Sequence, residues 1–325
     1  MPAQAWPLLS IWMIVCAAAA PSTARTWRVP DELPTIGAGL AAAAAGDTVL
    51  VSCGVYPEPG LEMTEGVVLR STTGEADCVT VDAVWRGRIL SCEGLSAATA
   101  VEGLTFANGM DAAAGAVFCN HADVAFRDCV FIGCITGLDG AGFYCNESAP
   151  LLERCVFAGN VADAGSGGGF CSRLADPVLR GCIFTNNRAG GWGGGFHATG
   201  GDNAPLLDKC VFTGNRAGVG GAIACKGTLT RLGDCELVDN DATGAGGGLY
   251  LDFGALVVAT DVLFEGNAAP DGKAGLVTGS STVLLQCCVL DRTAMTGTGV
   301  ITYDDTDCDA GDERSAWGDV KRLYR

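Results

Sequence analysis

Positive charge is scarce in this chain of 325 residues: 20 Lys and Arg stand against 37 Asp and Glu, for a formal net charge of −17. A surface of that sign repels phosphate backbones and anionic lipid, which excludes nucleic acid and acidic membranes as partners. Charged residues make up only 18% and apolar ones 49%, so the composition carries enough material for a core and is not that of a disordered chain. Long apolar runs are missing beyond residue 24, and the mature chain is therefore expected to have no transmembrane segment. The one apolar run, Trp6 to Ala20, leads to a small-x-small site at Ser22 and Ala24 ahead of Arg25. Residues 1–24 read as a cleaved export signal rather than a membrane anchor, although the run has no Lys or Arg before it.

Cysteine ligands for zinc converge as closely spaced pairs from two places, whereas the thiols here recur at the period of a repeat and would stack along one axis. Of the 17 cysteines, 16 follow the export signal, an even number suited to an oxidising compartment. Most of them recur once per repeat.

That repeat is what the chain does have. Between Val117 and Leu290 one pattern returns six or seven times, as in GGGFCSRLADPVLRGCIFTNNRA (167–189), GGGFHATGGDNAPLLDKCVFTGNRA (193–217) and GGAIACKGTLTRLGDCELVDNDA (220–242). Aligned on the apolar residue after the glycines, it gives Val117, Phe143, Phe170, Phe196, Ile223, Leu249 and Leu276. Two residues on stand Cys119, Cys145, Ser172, Ala198, Cys225, Leu251 and Thr278. Positions i and i+2 share one face of a strand, so both columns are expected to point inward. Further inward columns are Phe126, Leu152, Leu179, Leu207, Leu232, Ala259 and Leu285, and then the Cys-x-Phe pairs such as Cys155/Phe157 and Cys182/Phe184. The interval of three between those columns breaks the alternation and marks a bend, filled by polar pairs such as Arg127-Asp128 and Asp208-Lys209.

Three strands and three bends in about 27 residues describe one coil of a solenoid. The Leu-x-Leu consensus of leucine-rich repeats is missing, and the glycines and short period exclude helical repeats. The predicted fold is all-β: a right-handed single-stranded parallel β-helix of about nine coils with an N-terminal capping helix over Thr35 to Ala45. The expected segments are signal peptide (1–24), cap and first strand (25–60), β-helix repeats (61–292) and an acidic C-terminal tail or cap (293–325).

Asn160, Asn187, Asn215, Asn240 and Asn267 form a column expected at a left-handed bend, with side-chain amides bonding from coil to coil. Ala162, Ala189, Ala217, Ala242 and Ala269 follow two residues later, where the chain passes closely. Stacked thiols share parallel Cβ directions that disfavour bridging, so most cysteines are expected as buried free thiols. Disulfides are expected among the off-column Cys134, Cys171, Cys287 and Cys308.

Two resemblances rest on these motifs. Thr35-Ile36, Gly46-Asp47-Thr48-Val49 and Gly54-x-Tyr56-x-Glu58 resemble the N-terminal segment of right-handed parallel β-helix proteins, with Gly37 where a Gln is common. Gly220-Gly-Ala-Ile223 with Phe212-Thr-Gly-Asn215 resembles the GGA[IVL] and FxxN motifs of polymorphic outer membrane proteins, over roughly residues 104–292. Those relatives are autotransported surface proteins whose repeats are associated with adhesion. This chain departs from them in carrying no translocator barrel sequence after the repeats.

If Phe143 and Cys145 point in, the residues between and beside them point out. One outward column holds Phe118, Tyr144, Cys171, His197, Ala224 and Tyr250; the next holds Asn120, Asn146, Arg173, Thr199, Lys226 and Asp252. Rings beside polar groups along a flat sheet suit an extended glycan. The expected binding residues are Phe118, Tyr144, His197, Tyr250, Asn146, Arg173 and Lys226. A lyase or hydrolase on the same face would have to use Arg173, His197, Lys226 and Asp252, but the face carries no cluster of acids and the chain none of the NTD, GHG or RIK motifs of polygalacturonases. On another wall Val130, Val156, Ile183 and Val211 are expected to form an outward aliphatic stripe. In the tail, Asp305, Asp307 and Asp309 are spaced like the start of a calcium loop, but Ala310 and Ala316 replace the Gly and the acid such a loop needs. No cofactor is expected. The sequence thus reads as an exported bacterial protein, at the outer-membrane surface or released, that binds a polysaccharide or cell-surface ligand; the alternatives are a polysaccharide lyase or hydrolase and a structural spacer.

Overall fold

The computed structural model describes residues 23–306 and Cys308. Residues 1–22, Asp307 and 309–325 lie outside the described part, and with them most of the expected export signal, two of the three calcium-loop aspartates and the Trp317–Arg325 tail.

One coil shows how the sequence becomes a solenoid. Phe143–Asn146 belongs to a front wall, Leu151–Glu153 to a side wall, Val156–Ala158 to a back wall and Val161–Ala162 to a narrow fourth wall. Each strand pairs in parallel with its counterparts in neighbouring coils. The front wall has ten strands, from Leu61–Glu62 to Met295–Gly297; the side wall has twelve, the back wall nine and the fourth wall six. The result is a parallel β-solenoid of about ten turns, where the sequence predicts about nine, and six coils carry a fourth strand of two to five residues that the pattern of three bends does not foresee.

Two ladders of rings fill the interior. On the back wall Phe106, Phe131, Phe157, Phe184 and Phe212 stack with centroids 5.4, 4.7, 4.6 and 4.5 Å apart. On the front wall Phe143, Phe170 and Phe196 stack at 4.8 and 5.5 Å and meet the back ladder edge-on. One column of cysteines fills the corner between side and back walls, where the thiols donate to a carbonyl of the preceding coil: Cys155 to Phe126 O at 3.5 Å, Cys182 to Leu152 O and Cys210 to Leu179 O at 3.6 Å. The bend just before them is left-handed at Asp128, Arg154, Gly181, Lys209, Asp234, Asp261 and Cys287, which lets the chain turn in a single residue.

The asparagine column is a buried ladder. Asn187 Oδ1 accepts from the backbone N and from Nδ2 of Asn160, each at 3.0 Å, while Asn187 Nδ2 donates to Phe157 O and to Asn215 Oδ1. The left-handed residue is not the ladder Asn, as the sequence suggests, but the one before it: Gly159, Asn186, Gly214, Asp239 and Gly266. The ladder Asn keeps ordinary backbone because its amide must point along the axis. Cys134 takes the place of Asn one coil earlier, its Sγ accepting from Gly109 N at 3.4 Å.

The last repeat departs from the expected register. Gly275 and Val277, not Leu276 and Thr278, pair with Leu249 and Leu251, so Leu276 turns outward beside Tyr250. The reason is volume: the Met295 side chain occupies the space inside Gly275, where an added Cβ would lie 2.6 Å from its sulfur.

Near the N-terminus, Ile36–Ala42 forms a helix, shorter than predicted, with Thr35 as N-cap and Ile36 and Leu40 buried. Both carboxylate oxygens of Glu58 accept from the first helical amides, Ile36 N and Gly37 N, at 2.9 Å. Asp47 gathers Arg25 N, Ala44 N and Trp27 Nε1, bonds that hold its carboxyl below the usual range, led by that from Ala44 N.

Disulfides join Cys53 to Cys78 and Cys287 to Cys308. The second involves cysteines expected to pair, though with each other rather than with Cys134 or Cys171, which are free and buried. The first corrects the expectation against bridging between stacked cysteines: at that exposed corner the Cα atoms are 4.6 Å apart and the side chains can turn toward each other.

Candidate functional site

The front wall puts the two expected outward columns in register. Phe118, Tyr144, Cys171, His197, Ala224 and Tyr250 are successive partners, as are Asn120, Asn146, Arg173, Thr199, Lys226 and Asp252. The first column is not a continuous exposed strip. From Gly140 to Gly246 each coil returns to the front wall through a glycine with positive φ, and a Cβ on Gly140, Gly167, Gly220 or Gly246 would lie within 3.0 Å of the Cβ of Tyr144, Cys171, Ala224 or Tyr250. The turns therefore cover the middle of the column: Cys171, His197 and Ala224 are buried.

His197 is consequently misplaced in the expected binding and catalytic sets. It is 5% exposed, its Nδ1 lies 3.2 Å from Ala224 O, and burial lowers its pKa to about 4, so the ring is neutral near pH 7. Arg173, Lys226 and Asp252 do not converge either. Thr199 separates Arg173 from Lys226, and Asp252 lies one rung beyond, held by Thr278 Oγ1 at 2.6 Å.

Two aromatic platforms remain, at either end of the covered stretch. At the lower one, Phe118 and Tyr144 stack at 5.7 Å with an interplanar angle of 4°. The Arg88 guanidinium lies 4.6 Å over Phe118 and is held by the carbonyls of Ala113 and Ala114. Burial pushes the Tyr144 hydroxyl up to about 12. Beside the rings a polar chain runs along the strands, Arg173 donating to Asn146 Oδ1 at 2.7 Å and Asn146 donating to Asn120 Oδ1 at 2.9 Å.

The upper platform includes two residues the sequence reading does not single out. Trp192 projects from a glycine turn and meets Tyr250 at 5.3 Å and His197 at 5.8 Å, bridging the gap over Ala224. Phe253 lies 6.3 Å from Trp192, and Lys226 Nζ sits 4.3 Å from the Phe253 ring and 5.2 Å from Trp192. Phe253 is 64% exposed with φ +56°, in a corner column whose neighbouring coils carry Gly227 and Gly279. A signal for both was present: each is an aromatic in a turn where the neighbouring copies carry small or aliphatic residues.

No group of His, Cys, Asp and Glu that could hold a metal occurs among the described residues. Asp305, the described member of the calcium candidate, pairs with Arg292. On the back wall Val130, Ile183 and Val211 are half-buried and Val156 is buried in the expected aliphatic stripe. No helix among the described residues is long and apolar enough to cross a membrane.

Parallel walls, stacked interior ladders and a turn-covered lateral face define a β-solenoid of the β-helix class. The model of the right handed beta helix region matches residues 114–290, more than half of the chain, and the chain belongs to that family. No curated protein and no solved structure matched it.

Proposed function

We propose that this is an exported β-helix protein that acts by binding a glycan along its front wall, in the manner of an adhesin. The observation that carries the reading is Phe253. A bulky side chain in the left-handed region costs about 1 kcal/mol or more; the two adjacent coils use Gly227 and Gly279 there, while His121, Glu147 and Leu174 adopt the same conformation further along the column. Exposing that ring adds to the cost, and the side chain serves to extend a surface of Trp192 and Tyr250 against which a sugar ring can stack.

Export is supported by the apolar stretch at 6–20 and by two disulfides, which persist in oxidising compartments. In this reading the helix Ile36–Ala42 caps the solenoid, the repeats are of the polymorphic outer membrane type, and the protein works at a bacterial surface or in its surroundings. The test is a Phe253→Gly variant screened with wild type on a glycan array. The variant should keep or raise its melting temperature and lose the glycans that wild type binds; equal binding by both would overturn the reading.

A further inference from the structure

The side wall presents two outward columns over six successive coils. One is aliphatic: Val68, Ala100, Ala125, Leu151, Val178 and Leu206. The other stands two residues on and alternates in sign without a break: Arg70, Glu102, Arg127, Glu153, Arg180 and Asp208. Ion pairs of 3.1–4.0 Å link this ladder from Arg70 to Arg180, yet its side chains there stay between 24% and 52% exposed. A chain of net charge −17 repels its own copies over most of its surface. The side wall does not, because Arg28 and Arg231 also point outward from it and its outward arginines outnumber its outward carboxylates.

Six alternating charges are antisymmetric about their midpoint, which falls between Arg127 and Glu153. A two-fold axis through that point, parallel to the strands, lays each column on its own reverse in a second copy. Arg70 then faces Asp208 of the second copy, Glu102 faces Arg180 and Arg127 faces Glu153. The same operation sets small aliphatic residues against large ones, Ala125 on Leu151 and Ala100 on Val178, with Val68 on Leu206. We propose that the side wall is a homodimer interface in which two copies pack antiparallel about this axis. A shift by one rung opposes like charges along the whole ladder, and a parallel arrangement lays the charged column on the aliphatic one. Ten of the twelve side-wall strands overlap, a face about 43 Å long and 10–16 Å wide. The pair therefore buries on the order of 1,000 Å², the low end for a specific interface, which makes the dimer reversible. The aliphatic column supplies the affinity and the ladder the register, because ion pairs at a partly exposed surface contribute little. The interface lies on a wall other than the front one, so it stands independently of the glycan reading.

The test is sedimentation velocity of the full chain over a range of concentrations, joined to cross-linking through introduced cysteines. Wild type should pass from monomer to dimer as concentration rises. Leu151 points outward and is half-buried, so Leu151→Lys should keep the melting temperature while weakening the dimer about tenfold or more. The two-fold axis places Leu151 one rung from its own counterpart, and Leu151→Cys should link two chains on mild oxidation. Leu206→Cys, about 24 Å from its counterpart, should not. The native free thiols are buried, Cys288 only partly, and the unsubstituted chain serves as the background control. A monomer at every concentration would overturn the proposal. So would a dimer that Leu151→Lys leaves intact, or one that Leu206→Cys cross-links as readily as Leu151→Cys, since the copies would then meet on another wall or in another register.

Discussion

At the scale of the residue, burial decides what each chemically suggestive side chain can do. His197 gives the measurable case. It takes up its proton only near pH 4 in the folded protein, against 6.5 for an ordinary histidine, because burial penalises the charged ring. Between those values the unfolded chain binds more protons than the folded one, so stability rises with pH. The contribution is complete above pH 6.5 and is lost as pH falls toward 4, a change of about 3 kcal/mol. Denaturant titrations at several pH values should show that slope, and His197→Leu should flatten it; an unchanged slope would show that His197 titrates normally. The cysteines follow the same rule: burial pushes the thiols of Cys119, Cys155, Cys171 and Cys210 well above the ordinary value, which makes them filler rather than nucleophiles.

At the scale of the element, the coil is held by three kinds of stack. Phe184 is fully buried between Phe157 and Phe212, and Phe184→Ala should cost about 3–5 kcal/mol through the cavity it leaves. Asn187→Ala removes little volume but strips the partners of Asn160 N and Phe157 O, and should cost about 3 kcal/mol. Thermal melts of the two variants check both; a loss confined to Phe184→Ala would mean that the asparagine ladder carries no net stability. A third stack, on the side wall, alternates sign through Arg70, Glu102, Arg127, Glu153 and Arg180. It holds the register because a slip of one coil would oppose like charges.

The inward columns of this architecture were legible in the sequence because a strand's side chains alternate strictly, so a period of 26 or 27 residues exposes which positions share a face. What the period could not reveal is where the chain leaves it. Leu276 fits the apolar column by type, and only the volume of Met295 gives that place to Gly275. The buried middle of the outward column was illegible for a related reason. Alternation says that His197 points away from the core, but not that a glycine turn and Trp192 close over it. Trp192 and Phe253 themselves lie in turns, outside the columns that strand alternation defines, and Phe253 becomes conspicuous only when its backbone conformation is known.

At the scale of the whole molecule, the solenoid is a rigid ruler closed off by chemistry at its ends. The disulfides fall in the first and last coils, with sequence separations of 25 and 21 residues, close to one coil each. End rungs have a neighbour on one side only, and a covalent link there offsets the missing stack. Between the staples the front wall carries its two aromatic platforms four rungs apart, a spacing that suits the proposed binding of an extended glycan. The most direct measurement is a crystal structure of the protein soaked with an oligosaccharide selected on the glycan array and long enough to span both platforms. The account predicts sugar rings against Trp192 and Phe253 and the chain running along the axis toward Tyr144. Sugar bound on another wall, or a front wall left empty at a saturating concentration, would contradict it.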